Sequence, residues 1–161
     1  VQFFAHLITG LVLGLVLFFI FKDRWVIIAT AVGSILPDLI DKPVGILFFP
    51  DTLGYGRIYF HSLLVCILIL GAGVFLYYRY RSAIVLCLGI GVLSHQVLDS
   101  MWLEYWNWLW PFYGPFRGSS SAEYLFYNIL AELTNPTEWL FGLIVLLIGL
   151  LVIVVSVKKK E

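Results

Sequence analysis

His95 and Asp99 stand four residues apart in Ser94-His95-Gln96-Val97-Leu98-Asp99. On a helix that spacing puts both side chains on one face, where an imidazole nitrogen and a carboxylate oxygen can share a cation. Asp38 and Asp41, in Leu36-Pro37-Asp38-Leu39-Ile40-Asp41, are three apart and share a face if the helix continues past Pro37. Pro37 also allows a local break that would turn both carboxylates inward. His6 and His61 complete the chain's three histidines. Nitrogen and oxygen donors of this kind suit zinc, with manganese or iron as alternatives. One Zn²⁺ takes about four ligands. The candidates His6, Asp38, Asp41, His61, His95 and Asp99 are therefore enough for one ion, or for two if a carboxylate bridges. The competing reading of the same residues is a set of buried His–Asp hydrogen bonds that fixes a helix bundle.

The elements that carry these residues belong to a membrane protein. The chain has 161 residues, of which 61% are hydrophobic and 12% charged, with a mean hydropathy of +0.98. Soluble domains run nearer half apolar and a quarter charged. The formal net charge is zero, so nothing suggests nucleic acid as a partner; membrane lipids are the expected surroundings. Cys66 and Cys87 lie inside apolar runs and read as small buried hydrophobes rather than a disulfide. The first apolar run lacks the basic flank and small-residue cleavage pattern of a signal peptide, so it is read as part of the mature chain. The expected fold is an all-α integral membrane bundle in one domain. Its five spans cover 3–21, 25–41, 60–78, 83–102 and 139–157, each long enough to cross roughly 30 Å of hydrocarbon. The second reaches that length only if the helix runs through Pro37. A short apolar piece at 44–49 reads as re-entrant or interfacial.

The basic residues set an orientation. With five crossings, Lys22, Arg24, Arg79, Arg81, Lys158, Lys159 and Lys160 share one side, against Lys42, Arg57 and Arg117 on the other. The positive-inside rule then predicts a multi-pass protein of the cell (inner) membrane, with the N-terminus outside and the C-terminus cytoplasmic. Counted at helical rise from the nearest inner basic residue, His6, Asp38, Asp41, His61, His95 and Asp99 all lie roughly 21–27 Å from the inner face. Four spans thus bring ionisable groups to one layer in the outer leaflet. Such residues are costly to bury unless paired, and mark function by default. Ser34, Ser62 and Ser94 stand beside them as hydrogen-bonding partners for the ligands. Glycines such as Gly10, Gly14, Gly73, Gly89 and Gly91 would let the helices pack closely.

The outer loop, 104–136, is rich in aromatics and reads mainly as an interfacial belt, with a short helix expected over 122–133. Glu123, Glu132 and Glu138 in or near it are candidates for an extra ligand or proton shuttle. Arg57, four residues before His61, could hold a phosphate or carboxylate group, or equally a lipid headgroup.

These motifs, in order, resemble the membrane-bound metal-dependent hydrolases of the YdjM type. The resemblance runs from Phe4-Ala5-His6-Leu7 through Leu36-Pro37-Asp38-Leu39-Ile40-Asp41 and Gly56-Arg57-Ile58-Tyr59-Phe60-His61-Ser62 to Ser94-His95-Gln96-Val97-Leu98-Asp99 and Trp110-Pro111. Two departures stand out. The second acid lies one residue later than in the usual Pro-Asp-x-Asp, and Gly56 replaces the first histidine of a His-Arg-Gly-x-Thr-His-Ser element. The order of ligands is also similar to the first part of the zinc-dependent phospholipase C and P1-nuclease superfamily. The resemblance implies a hydrolase, most concretely of phosphoesters in a lipid or other amphiphile. His61, His95, Asp99 and Asp38 would be primary ligands, with His6 and Asp41 completing the site. Asp41 and Arg57 would take part in catalysis, Arg57 as a clamp on the substrate anion. Two other classes remain open: a divalent-metal or proton transporter, which needs a polar route to the inner face, and a non-catalytic scaffold with a closed structural metal.

Overall fold

The computed structural model describes residues 3–53, 55–118 and 121, and beyond them 123, 126–127, 130–131, 134, 136, 139–140, 143–144, 146–148 and 150–151. Four long helices carry the fold: α1 (Phe3–Phe21), α2 (Trp25–Lys42), α3 (Leu63–Tyr80) and α4 (Ile84–Leu98). Among the described residues there is no strand. α2 is the central helix, packed against α1 on one side and α4 on the other, and α3 packs on α4.

The packing is close because the contact stripes are small. A Cβ added at Gly91 on α4 would lie 2.8 Å from the Ser34 backbone nitrogen on α2, and one at Gly10 on α1 would lie 2.7 Å from the Ser34 Cβ. Only glycine admits this approach, and it sets Ser34 against α4 at the level of His95. Away from these seams the helices present large apolar side chains outward. Phe19 on α1 is 66% exposed and Phe75 on α3 is 63% exposed, a surface that suits lipid rather than water.

The two ends of the bundle differ. At the end with the basic turns, Val26, Ala29, Ala83 and Cys87 form an apolar core ringed by Leu17, Phe18, Phe21, Tyr77 and Leu88. Cys66 and Cys87 are free and buried, as small hydrophobes would be. At the other end a polar cluster is buried, His6, Asp38, Asp41, His61 and His95, beside the apolar Ile46, Ile58 and Met101.

Three expectations change. Pro37 lies inside α2, which continues unbroken to Lys42, so the carboxylates are aimed by a helix and not by a break. A wide π-type turn, Pro43–Phe48, extends it, where the short apolar piece was expected. α3 begins at Leu63 rather than 60 because Ser62, in an extended conformation, caps it and accepts from the Val65 N–H at 3.4 Å. His61 is therefore on the loop before α3. α4 ends at Leu98; Ser100 takes a left-handed conformation (φ 52°). The chain then turns by 76° into Met101–Trp108, so 83–102 is not one straight span. That second limb holds a 3₁₀ turn, Met101–Glu104, and a short helix α5 (Tyr105–Trp108).

α1 and α3 are long and apolar enough to cross a membrane, and α4 with its bent continuation makes a third if the pair is one span. α2, of 18 residues, carries Asp38, Asp41 and Lys42 near its end, and a lone helix with those three groups is a poor span. They are tolerated here because they are paired within the bundle. The expected fifth span, 139–157, and the short helix, 122–133, fall largely outside the described residues, as do Glu132 and Glu138. Glu123 is exposed.

Candidate metal centre

Four different pieces of chain deliver the six ionisable groups at the polar end. α1 supplies His6, α2 supplies Asp38 and Asp41, the loop before α3 supplies His61, and the end of α4 supplies His95 and Asp99. His61, His95 and Asp41 are wholly inaccessible to solvent, and His6 is 1% exposed.

The Nδ1 contacts of two histidines define their tautomers. His61 Nδ1 lies 2.7 Å from Asp41 Oδ2, and His95 Nδ1 lies 2.7 Å from the Ser34 carbonyl oxygen. A carboxylate and a carbonyl only accept, so each Nδ1 donates. Both Nε2 atoms then carry lone pairs. In neutral rings these lone pairs face each other at 3.2 Å, an arrangement that a proton on one ring or a cation between them satisfies. Two carboxylate oxygens close on the same point. Asp38 Oδ1 is 3.6 Å from His61 Nε2 and 3.8 Å from His95 Nε2, and Asp99 Oδ2 is 3.8 Å and 4.0 Å from the same two atoms. A tetrahedral zinc with bonds of about 2.0–2.2 Å has ligand–ligand edges of about 3.3–3.6 Å. The His–His and His–Asp edges run from 3.2 to 4.0 Å, so a contraction of a few tenths of an ångström would let either carboxylate share an ion with the two imidazoles. His61, His95 and Asp99 form one group with metal-ligand spacing, and His6, Asp38 and His95 form another.

His6 sits against this cage. Its ring stacks on His95, centroids 3.9 Å apart, and its Nε2 lies 3.1 Å from Asp99 Oδ1. That contact is close but badly angled: among the described residues neither His6 nitrogen nor Asp99 Oδ1 has a hydrogen-bond partner. Orphaned buried polar atoms are rare and need an explanation. A cation that both atoms approach is one that fits their donor chemistry.

Asp41 is placed differently from the ligand expected. Its Oδ2 accepts from the Ile58 N–H (3.0 Å), the His61 N–H (3.0 Å) and His61 Nδ1, and its Oδ1 accepts from the Phe60 N–H (3.1 Å). Four donors fill a carboxylate. Asp41 holds the 58–61 loop and orients His61, the usual task of an outer carboxylate behind a ligating histidine.

Arg57 is engaged rather than free. Its Nε is 3.1 Å from Asp99 Oδ2, and its Nη1 donates to Glu104. The guanidinium expected to clamp an anion thus already holds two carboxylates of the chain itself. Burial alone would depress the Arg57 pKa, but Asp99 and Glu104 outweigh it and raise it. Tyr55 donates to the other Glu104 oxygen at 2.6 Å. Burial, with Glu104 beside it, pushes that phenol up to about 12. Lys42 pairs with Asp38 Oδ2 at 2.7 Å.

The serine hydroxyls serve their own backbone: Ser34 donates to Ala31, Ser62 to Tyr59 and Ser94 to Gly91. It is the Ser34 carbonyl, not its hydroxyl, that meets His95. A Cβ at Gly56 would meet the Ile46 side chain at 3.1 Å and that of Lys42 at 3.2 Å, so a histidine there would require both side chains to shift by a few tenths of an ångström. Gln96, buried, donates to the Phe60 and Ser62 carbonyls (both 3.0 Å) and accepts from Trp108 Nε1 at 2.9 Å. Part of the aromatic loop is thus structural. Trp110 and Phe116 stack, and Tyr59 packs edge-on to both, covering the His61 loop. Sequence reasoning missed Gln96, Lys42, Tyr55 and Glu104. Only Lys42, four residues after Asp38 on a helix, left a readable signal.

The family model described as YdjM inner membrane protein matches this chain over residues 1–161. No curated protein and no solved structure matches it, so the likeness to the phospholipase C and P1-nuclease superfamily rests on motif order alone.

Proposed function

The chain belongs to the YdjM inner membrane protein family, and on that premise we propose that it is a membrane-bound metal-dependent hydrolase of phosphoesters in a lipid or other amphiphile. The observation that carries this reading is the pair of Nε2 lone pairs 3.2 Å apart, with two carboxylate oxygens aimed at the same point. His61, His95, Asp38 and Asp99 would hold the ion, zinc before manganese or iron. His6 and the Asp99 Oδ1 beside it would complete it or hold a second ion. When bound, such an ion polarises a phosphoryl oxygen and makes water a usable nucleophile near neutral pH.

The chain's own residues do the rest. Asp41 and the Ser34 carbonyl hold the two imidazoles in the tautomer that presents Nε2. Lys42 and Arg57 offset the charge of Asp38 and Asp99. Taken at formal charge, Asp38, Asp41, Asp99 and Glu104 are four anions facing the two cations Lys42 and Arg57, a deficit of two that one divalent ion would cancel. The bundle sits in the cell membrane in five crossings, N-terminus outside, with the site in the outer leaflet, where an amphiphile can enter laterally.

One observation favours a second reading. Asp99 is 3% and Asp38 9% exposed at the side chain, which also suits a closed structural metal that staples the helices. The test is the metal content of purified protein. We expect at least one ion per chain in the wild type and its loss in His95→Ala and in Asp99→Ala. A wild type without stoichiometric metal removes both readings. Turnover of a generic phosphodiester that stops on chelation separates enzyme from staple.

A further inference from the structure

Beyond the buried cluster, the described residues form a cavity of about 290 Å³ lined by Tyr55, Glu104, Trp106, Arg117 and Gly118. Glu104 links this cavity to the cluster, because the guanidinium that it holds also contacts Asp99 Oδ2. A guanidinium and a phenol, both donors, converge on one carboxylate. Those are the groups that recognise a phosphoryl oxygen, and a guanidinium suits such an oxygen particularly well. A second guanidinium, Arg117, lines the same cavity. Its main chain is anchored: Asn107, fully buried, accepts from the Arg117 backbone N–H and donates to the Arg117 carbonyl, both at 2.7 Å. Glu104 lines the cavity, and the Arg57 guanidinium behind it stays partly open, with 28% of the Arg57 and 25% of the Glu104 side chain exposed.

We propose that Tyr55, Arg57 and Arg117 form a binding site for a phosphoryl anion, and that Glu104 occupies it as an internal stand-in that the ligand displaces. The inference deepens the hydrolase reading by naming where the anionic part of the substrate enters; binding itself does not depend on that reading, and only the fate of the bound anion does. The site sits one guanidinium away from Asp99, so an anion that replaces Glu104 on Arg57 arrives beside the candidate metal ligands. The Trp106 and Tyr55 rings give the cavity apolar walls, which suit the carbon skeleton next to the phosphoryl group. Release of Glu104 would also open a path towards a cluster that is otherwise enclosed.

The test needs no turnover. Full-length protein in nanodiscs of phosphatidylcholine is titrated with inorganic phosphate by calorimetry. We expect weak binding in the wild type and a gain of roughly 10-fold in Glu104→Gln, which removes the competing charge. The milder Tyr55→Phe loses one donor to the carboxylate and to the ligand alike, so its binding stays near the wild type and well below that of Glu104→Gln. The gain must vanish in Arg57→Gln/Glu104→Gln. A Glu104→Gln protein of unchanged thermal stability that binds no more tightly than the wild type overturns the proposal. So does a gain that survives the loss of Arg57, since phosphate would then be binding elsewhere, on a metal for instance. Adding phosphatidic acid to the nanodiscs assigns the source: competition with inorganic phosphate means a lipid phosphate reaches the site, and its absence means a free one. If the protein holds no metal yet shows the Arg57-dependent gain, the anion site stands and the hydrolase reading falls.

Discussion

Asp41→Asn is the sharpest perturbation of the candidate centre, because it changes one atom's identity and leaves every proposed ligand in the sequence unaltered. The carboxylate accepts from three backbone N–H groups, of Ile58, Phe60 and His61, and from His61 Nδ1. An asparagine keeps one acceptor oxygen and replaces the other with an NH₂ donor. If its oxygen takes the Oδ2 position, three donors keep a partner, and the NH₂ faces the Phe60 N–H, donor against donor. Leaving one buried donor unsatisfied costs about 1–3 kcal/mol. The remaining bonds lose their charge assistance, so the loop carrying His61 also loosens. His61 then no longer has a carboxylate that compels its Nδ1 to donate, and its Nε2 presents a lone pair only part of the time. Substitutions behind a metal-ligating histidine typically weaken metal binding by about 10–100-fold. The assay is zinc competition against a chromophoric chelator, run beside thermal unfolding with and without zinc. Asp38→Asn, which removes a proposed ligand, should lose more affinity than Asp41→Asn while leaving the loop bonds intact. An Asp41→Asn protein that binds zinc as tightly as the wild type would refute the argument that this carboxylate sets the imidazole.

Two further outcomes come from packing. Gly91→Ala should destabilise the bundle by about 1–3 kcal/mol, the usual cost of overpacking, because its Cβ would lie 2.8 Å from the Ser34 nitrogen. Gly71→Ala, with nothing within 4 Å of the added carbon, should be neutral or slightly stabilising; thermal unfolding in one detergent compares the two. Gln96→Met should cost about 1–3 kcal/mol by leaving Trp108 Nε1 and two loop carbonyls short of partners. It should also lower zinc affinity, read by the same chelator competition, because the His61 loop hangs on that amide.

The convergence of His6, Asp38, His61, His95 and Asp99 was legible because helical rise is nearly constant. Spacing from the basic turns alone set their depth. What the spacing could not supply was direction. Asp41 differs from Asp38 by three positions on one helix, yet one faces the 58–61 loop and the other the cage. That division depends on a loop returning to α2 from 17 to 20 residues downstream. Glu104 was invisible for the same reason, since its Arg57 partner is 47 residues away. The start of α3 was misplaced because Phe60 and His61 continue the apolar run, and a single serine cap outweighs that continuity. A break at Pro37 and a straight 83–102 failed for opposite reasons. Proline was accommodated inside a packed helix, whereas Ser100, which carries no breaker signal, took the left-handed turn.

The route to the cluster can be argued from what seals it. A transporter reading needs polar groups from the cluster towards the basic end of the bundle. Below His95 and Ser34, α2 and α4 meet across Val26, Ala29, Ala83 and Cys87, with Phe18, Phe21 and Tyr77 closing around them. Thr30 is buried on this path, but its hydroxyl is spent on the Val26 carbonyl at 2.7 Å, as that of Ser34 is on Ala31. Each hydroxyl gives its one proton to its own helix backbone, so neither donates onward along a proton path. Burying a charge without a partner costs several kcal/mol, so among the described residues this end acts as a plug. At the opposite end the cover is polar and partly exposed: Lys42 on Asp38, Arg57 on Asp99, and Glu104 on Arg57. An ion or a substrate that reaches the histidines therefore enters and leaves by the same end, past those three pairs. Among the described residues that geometry gives the cluster one polar mouth.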